Sequence, residues 1–179
     1  MIKASSNAEK VIKGLTDYKK DIKSKIREFL LRLHKVGVDT ANARLAVAEY
    51  AGTNDATVLE PHWLDDTKLA LEVRGNSIMF IEFGTGITFY GGENSHPLAG
   101  TIPLSERGTY GRGQGMKPRW VYQGEVGSSK ASWELHDKEG NPRGVVMTMG
   151  NPANRVVYEA GKEARANIQR IAREVFANG

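Results

Sequence analysis

The stretch Thr16-Asp-Tyr-Lys-Lys-Asp-Ile-Lys-Ser-Lys-Ile-Arg-Glu-Phe-Leu-Leu-Arg-Leu-His-Lys-Val36 decides the fold class. Its apolar residues Tyr18, Ile22, Ile26, Phe29, Leu33 and Val36 recur every three or four positions, the period of one face of an α-helix. Lys19, Lys20, Asp21, Lys23, Lys25, Arg27 and Arg32 fill the opposite side. Thr16 or Asp17, just after Gly14, carries the side-chain oxygen that an N-cap needs. Gly37 is expected to bend or end this helix. The pattern resumes at Val38, Ala41, Leu45 and Ala48 and stops at Gly52. Helices are therefore expected over residues 16–51.

Downstream the period changes. Leu69, Leu71 and Val73 alternate with Lys68, Ala70, Glu72 and Arg74, which predicts a strand with one buried face. After the turn signal Gly75-Asn76-Ser77, the apolar run 78–83 fits either a buried strand or a helical turn, since periodicity cannot separate the two. Residues 84–117 contain nine of the twenty glycines together with Pro97 and Pro103, and read as one long loop. Segments 120–122 and 145–148 predict strands of one sheet, with an irregular excursion over 124–144. Asn151-Pro152 has the residue types of an N-cap and first helical position. Val157, Ala160, Ala164, Ile168, Ile171 and Val175 then form the apolar stripe of a closing helix, over 152–176. The 179 residues thus predict a single α+β domain over 1–179. It has N-terminal amphipathic helices, strands and loops over 56–150 that build a small, mostly antiparallel sheet with a Gly-rich loop, and a C-terminal helix.

The chain has no cysteine, which removes disulfides, thiolate metal sites and a cysteine nucleophile. It has no apolar run long enough for a membrane-spanning helix, and its first residues lack the apolar centre of a signal peptide. The net charge of +4 is unevenly placed. Residues 1–50 hold 11 Lys and Arg against 6 Asp and Glu, and residues 51–83 hold 2 against 6. Such segments can face each other within a subunit or between neighbours.

The chemical motifs point to no reaction. Gly111-Arg-Gly-Gln-Gly115 lacks the spacing of a dinucleotide fingerprint, and no helical pattern follows Gly84-Thr-Gly86 to seat a pyrophosphate. His62 with Asp65 and Asp66 offers imidazole and carboxylate ligands but reads better as a polar turn, because adjacent aspartates of a strand point to opposite faces. Glu93 with His96, and His136 with Asp137, make weaker sets. A Gly-x-Ser-x-Gly elbow is missing. No catalytic residue, cofactor or metal is expected. Arg107, Arg112, Lys117 and Arg119, interleaved with Tyr110 and Trp120, have the chemistry of a single-stranded nucleic-acid surface. The same residue types also anchor protein–protein contacts.

At Phe80-Ile-Glu-Phe-Gly-Thr-Gly86 the sequence resembles the tail-completion and head–tail neck proteins, or minor tail components, of long-tailed bacteriophages. The family's basic amphipathic entry is matched at Ile12-Lys-Gly-Leu15, and its central motif at Glu82, Phe83, Gly84, Thr85 and Gly86. Its closing small-residue helix is matched from Met149-Gly-Asn-Pro152 into Val156-Val-Tyr-Glu-Ala160. The resemblance implies a structural, non-enzymatic virion protein that forms a homo-oligomeric ring, of six copies, in the neck at the top of the tail. Its partners would be itself, adjacent neck or connector proteins and tail-tube or tail-terminator proteins, with passing DNA met non-specifically and no membrane. Its place would be the virion, and the host cytoplasm during assembly. The alternatives are a nucleic-acid-binding module that uses the basic N-terminal helix and the Arg/Tyr loop, and a tail terminator or stopper in the same neck. Glu82 is expected to face a polar partner and Phe83 to anchor the core. Phe89, Tyr90, Leu98, Ile102, Leu104 and Tyr110 lie in the Gly-rich loop, with no period that would bury them internally, and are expected to form the assembly contact.

Overall fold

A computed structural model describes residues 5–87, 96–98, 101 and 113–177. Helix α1 (Ser5–Ala46) is followed by strands β1 (Thr57–Val58), β2 (His62–Asp65), β3 (Lys68–Ala70) and β4 (Val73–Arg74), then helix α2 (Ile78–Phe83). A 3-10 turn (Gly113–Met116), strands β5 (Trp120–Gln123), β6 (Ser132–His136) and β7 (Pro142–Thr148), and helix α3 (Val156–Phe176) complete the chain. The fold is α+β, with a long N-terminal helix, small antiparallel sheets and a C-terminal helix.

The helices expected within 16–51 are one unbroken helix of 42 residues, about 60 Å long at 1.5 Å per residue. Gly37 does not end it. A glycine inside a helix costs roughly 0.5–1 kcal/mol relative to alanine, but here the missing side chain makes room for neighbours. A Cβ at Gly37 would lie 3.2 Å from Leu71 Cδ2 and 4.0 Å from the Ala160 carbonyl oxygen. Nor does Thr16 act as a cap, since its hydroxyl donates to the Ile12 carbonyl in mid-helix, at 2.8 Å.

α3 packs antiparallel along the C-terminal half of α1. Phe176 stacks near Phe29 with ring centres 5.9 Å apart, Arg32 reaches Glu174 at 3.3 Å, and Arg44 lies 4.0 Å from Glu159. Ala41, Ala48, Ile81, Val156 and Ala160 form the core cluster at this end, with Leu45, Tyr50, Val58 and Leu71 packed around it. These small side chains let α1, α2 and α3 approach closely, which is what close-packed burial requires. Within the expected α3 stripe, Ala160, Ile171 and Val175 are buried, whereas Ile168 is 41% exposed and does not belong to the core.

The β2–β3 hairpin covers the middle of α1. Arg27 lies over the Trp63 ring at 4.2 Å, and Lys23 pairs with Asp66 at 3.0 Å. Here the basic first segment and the acidic second meet within one subunit. The strand expected across 68–74 is interrupted, with β3 pairing β2 and β4 pairing β1. Segments 120–122 and 145–148 do belong to one sheet, of order β5-β7-β6. The excursion between them contains β6, and so is not wholly irregular. α3 begins at Val156 rather than at Pro152, and Asn151 is not its cap.

Candidate functional site

The segment Phe80-Ile-Glu-Phe-Gly-Thr-Gly86 lies at the junction of α2, α3 and the stretch 149–155, and its role there follows from hydrogen bonding. α2 is positioned from below by Asp55. The Asp55 carboxylate accepts the backbone N–H groups of Asn76 at 2.9 Å and Ser77 at 2.8 Å, and also the Ser77 hydroxyl. The Ser77 side-chain and backbone bonds, with those from Asn76, hold its pKa down at about 2. α2 then ends at two glycines with positive φ, Gly84 at 76° and Gly86 at 81°. Both need glycine for space as well as for conformation. A Cβ at Gly84 would lie 2.7 Å from the Ala153 nitrogen, and one at Gly86 would collide with the Met149 carbonyl.

Between the glycines, Thr85 forms a two-way bridge to Asn151. The Thr85 N–H donates to the Asn151 carbonyl at 2.9 Å, and the Asn151 N–H donates back at 3.1 Å. The Thr85 hydroxyl donates to Asn151 Oδ1 at 2.7 Å. The fully buried Asn151 spends its Nδ2 on the carbonyls of Phe80, at 3.0 Å, and Pro152, at 3.1 Å. Asn154 ties a third element into this clasp. Its Oδ1 accepts the Glu49 N–H at 2.8 Å, and its Nδ2 donates to the carbonyls of Glu49 at 2.8 Å and Ile81 at 3.1 Å.

Glu82 completes the clasp. The residue preceding α3, Arg155, adopts a left-handed conformation with φ at 55° and supplies no side-chain cap. Glu82 takes that role from α2, accepting the N–H groups of Val157 at 2.8 Å and Tyr158 at 2.9 Å. A carboxylate at a helix N-terminus satisfies orphan donors and is favoured by the helix dipole. His96 adds a third contact, with Nε2 at 2.9 Å from Glu82 Oε1. The Leu98 N–H donates to His96 Nδ1 at 2.9 Å, so Nδ1 is the acceptor and Nε2 carries the proton that bonds Glu82. Glu82 therefore faces a polar partner as expected, and both carboxylate oxygens are engaged in holding the fold. Phe83 stacks beside His96, with ring centres 4.3 Å apart, rather than lying deep in the core.

Beside this clasp, α2 and α3 border an apolar groove of about 790 Å³, lined in part by Val73, Ile78, Met79, Phe83, Leu98 and Tyr158. Leu98 is 47% exposed at its edge and is the one residue of the expected assembly contact within the described part of the chain. Phe89, Tyr90, Ile102, Leu104 and Tyr110 lie outside the described residues, as do Glu93, Arg107 and Arg112. The structure does not gather His62, Asp65 and Asp66. His62 pairs with Glu72 at 2.6 Å, Asp65 holds the Thr67 N–H at 2.7 Å, and Asp66 faces Lys23. Among the described residues no group of three His, Asp or Glu side chains is placed to hold a metal ion, and no helix is long and apolar enough to cross a membrane.

Sequence reasoning missed Asn154 altogether and misassigned Asn151. The signal available was Gly150-Asn-Pro-Ala-Asn154, two asparagines around a proline just before a helix, where side-chain amides commonly bond the local backbone.

A second surface needs no cavity to be noticed. Along α1, residues 7–21 are exposed on every side, and Val11, Ile12, Leu15 and Tyr18 are 61–65% exposed. Comparison with protein-family models, with curated proteins and with solved structures finds no match.

Proposed function

We propose that this chain is a structural subunit of a tailed-bacteriophage virion, which assembles as a ring, of six copies, in the head–tail neck. The observation that carries this reading is the Phe80-Ile-Glu-Phe-Gly-Thr-Gly86 segment, set between a basic amphipathic helix and a small-residue closing helix in the family's order. Its structural setting supports the reading: Glu82 bonds the first N–H groups of α3 and His96, and Thr85 bonds Asn151, which suits a scaffold segment. The exposed apolar face of residues 11–18 supports it too, since contiguous apolar surface of this kind marks a site of association. The basic residues near the N-terminus give less support to a nucleic-acid module. Lys25 pairs with Asp21 at 3.3 Å and Lys23 with Asp66 at 3.0 Å, so part of the positive charge is compensated within the subunit.

Native mass spectrometry with negative-stain imaging of the concentrated protein tests the proposal. A closed ring of one stoichiometry, with weak DNA retention at physiological salt, is the expected result. A chain that stays monomeric and binds DNA with an affinity falling steeply with salt would be a nucleic-acid module instead.

A further inference from the structure

We infer that the cleft between the middle of α1 and residues 58–61 binds a short protonated alkylamine, whose ammonium group is received by His34 Nε2 and the Glu60 carboxylate. The inference goes beyond the ring reading and does not rest on it.

His34 sits on the covered side of α1 and is only 9% exposed. Its ring bonds the Ala70 carbonyl. Nε2 is buried and has no hydrogen-bond partner among the described residues, so the bond to Ala70 is made by Nδ1. The nitrogen that donates to a carbonyl carries the ring proton, which leaves Nε2 with a free lone pair. Burial is the largest influence on the ring. It outweighs the Ala70 bond and the charge of Glu60, and lowers the pKa below the ordinary 6.5. At neutral pH the imidazole is therefore an uncharged acceptor. Nearly all buried acceptors in folded proteins are bonded, so an orphan of this kind marks a place for a donor.

A donor has room to enter. A cavity of about 410 Å³ lies beside His34, with Leu31, Val38 and Leu59 among its apolar walls. His34, Val38 and Asn42 step by four residues and share one face of α1, so the Asn42 amide lines the same space. Glu60 belongs to the opposite wall. Its charge reaches His34, and no cation among the described residues pairs with it. The other two charges of the wall, Lys35 and Asp39, satisfy each other at 3.0 Å. What remains uncompensated is one carboxylate beside one imidazole lone pair.

This donor set chooses among ligands. An anion would meet a carboxylate and a lone pair, and is repelled. A zinc-type ion asks for at least three convergent protein ligands, and no such group exists among the described residues. An ammonium group carries three N–H donors and no acceptor, which suits an imidazole nitrogen, a carboxylate and an amide oxygen. The apolar walls suit an alkyl chain on that nitrogen. The volume falls at the low end of the roughly 300–1,000 Å³ of small-molecule sites, so the chain is a short one.

Titration of the full-length protein with n-butylamine tests the site, followed by long-range proton–nitrogen NMR of the histidine rings at slightly alkaline pH. The free protein is expected to show His34 as the Nδ1–H tautomer, and millimolar amine to move its Nε2 resonance upfield, toward the hydrogen-bonded position. n-Butanol, with the same chain and no charge, should bind about tenfold more weakly, and Glu60→Gln should weaken the amine by a similar factor. Glu60 is exposed, so that variant is expected to keep the wild-type melting temperature. His34→Phe removes the acceptor and should abolish the saturable response of the remaining resonances. An Nε2 resonance that starts at the bonded position and does not move would mean that a water fills the place, and overturns the inference. So does an Nε2–H tautomer, or n-butanol binding as well as the amine. Tighter binding of N-acetyl-lysine methylamide than of n-butylamine would assign the cleft to the side chain of another protein, and overturns the free-amine reading.

Discussion

The two halves of α1 share one amphipathic pattern and end in opposite circumstances. Between Gly37 and Ala46 the helix is pressed against α3 and Leu71, Gly37 and Ala41 are buried, and asparagine side chains lock the turns that follow it. Between residues 7 and 21 the same kind of stripe is exposed to solvent. A free helix this short is marginal in water, so the arm holds its shape by continuing a helix nucleated where tertiary contacts exist. Periodicity reports which face is apolar; packing decides whether that face is used within the subunit. The clasp is the part of the molecule that makes the fold, and the arm is the part that the subunit's own packing leaves uncovered.

The largest effect that separates the two regions is expected at Asn151. Replacing it with alanine removes its amide bonds to the Phe80 and Pro152 carbonyls and the acceptor of the Thr85 hydroxyl, which should cost about 3 kcal/mol in chemical denaturation. Glu82→Gln keeps the shape but turns an amide group toward backbone donors, and removes the charge at the α3 N-terminus. A loss of about 1–2 kcal/mol is expected, with no loss of secondary structure.

Asp55 gives a pH-dependent effect. Its folded pKa, about 2, is depressed from the ordinary 3.8. The carboxylate therefore contributes stability that is full above about pH 4 and is lost as the pH falls through about 2. Melting temperatures measured across that window should fall for the wild type and fall less for Asp55→Asn. The smallest effect is expected in the arm: Leu15→Asp should change the stability of the isolated subunit by no more than about 0.5 kcal/mol.

The same contrast shows what was legible. α1 and α3 could be read from spacing, because an amphipathic stripe is a local property of the chain. Gly37 was misread as a break because its reason lies in Leu71 and Ala160, which are distant in sequence. β6 was hidden by the flanking glycines and by a register shift between Glu134 and His136 that spoils strict alternation. In the clasp, glycines at positions 84 and 86 were legible as a sharp exit, but from a buried strand where the structure has the helix α2, and Glu82 as a residue in need of a polar partner. That the partner is the start of a helix some seventy residues downstream is a tertiary fact with no local trace. Asn151 was read as a local cap, whereas its bonds to Phe80 and Thr85 reach across the fold.

Hydrogen exchange, followed by mass spectrometry on the dilute subunit and on its assembled form, tests most directly the claim that one region folds and the other associates. The amides of residues 37–46 and 156–171 should be protected in both forms, with little change. Those of residues 7–21 should exchange fast in the dilute subunit and slow by at least tenfold on assembly. An arm that exchanges equally fast in both forms, while some other surface gains protection, would contradict the account.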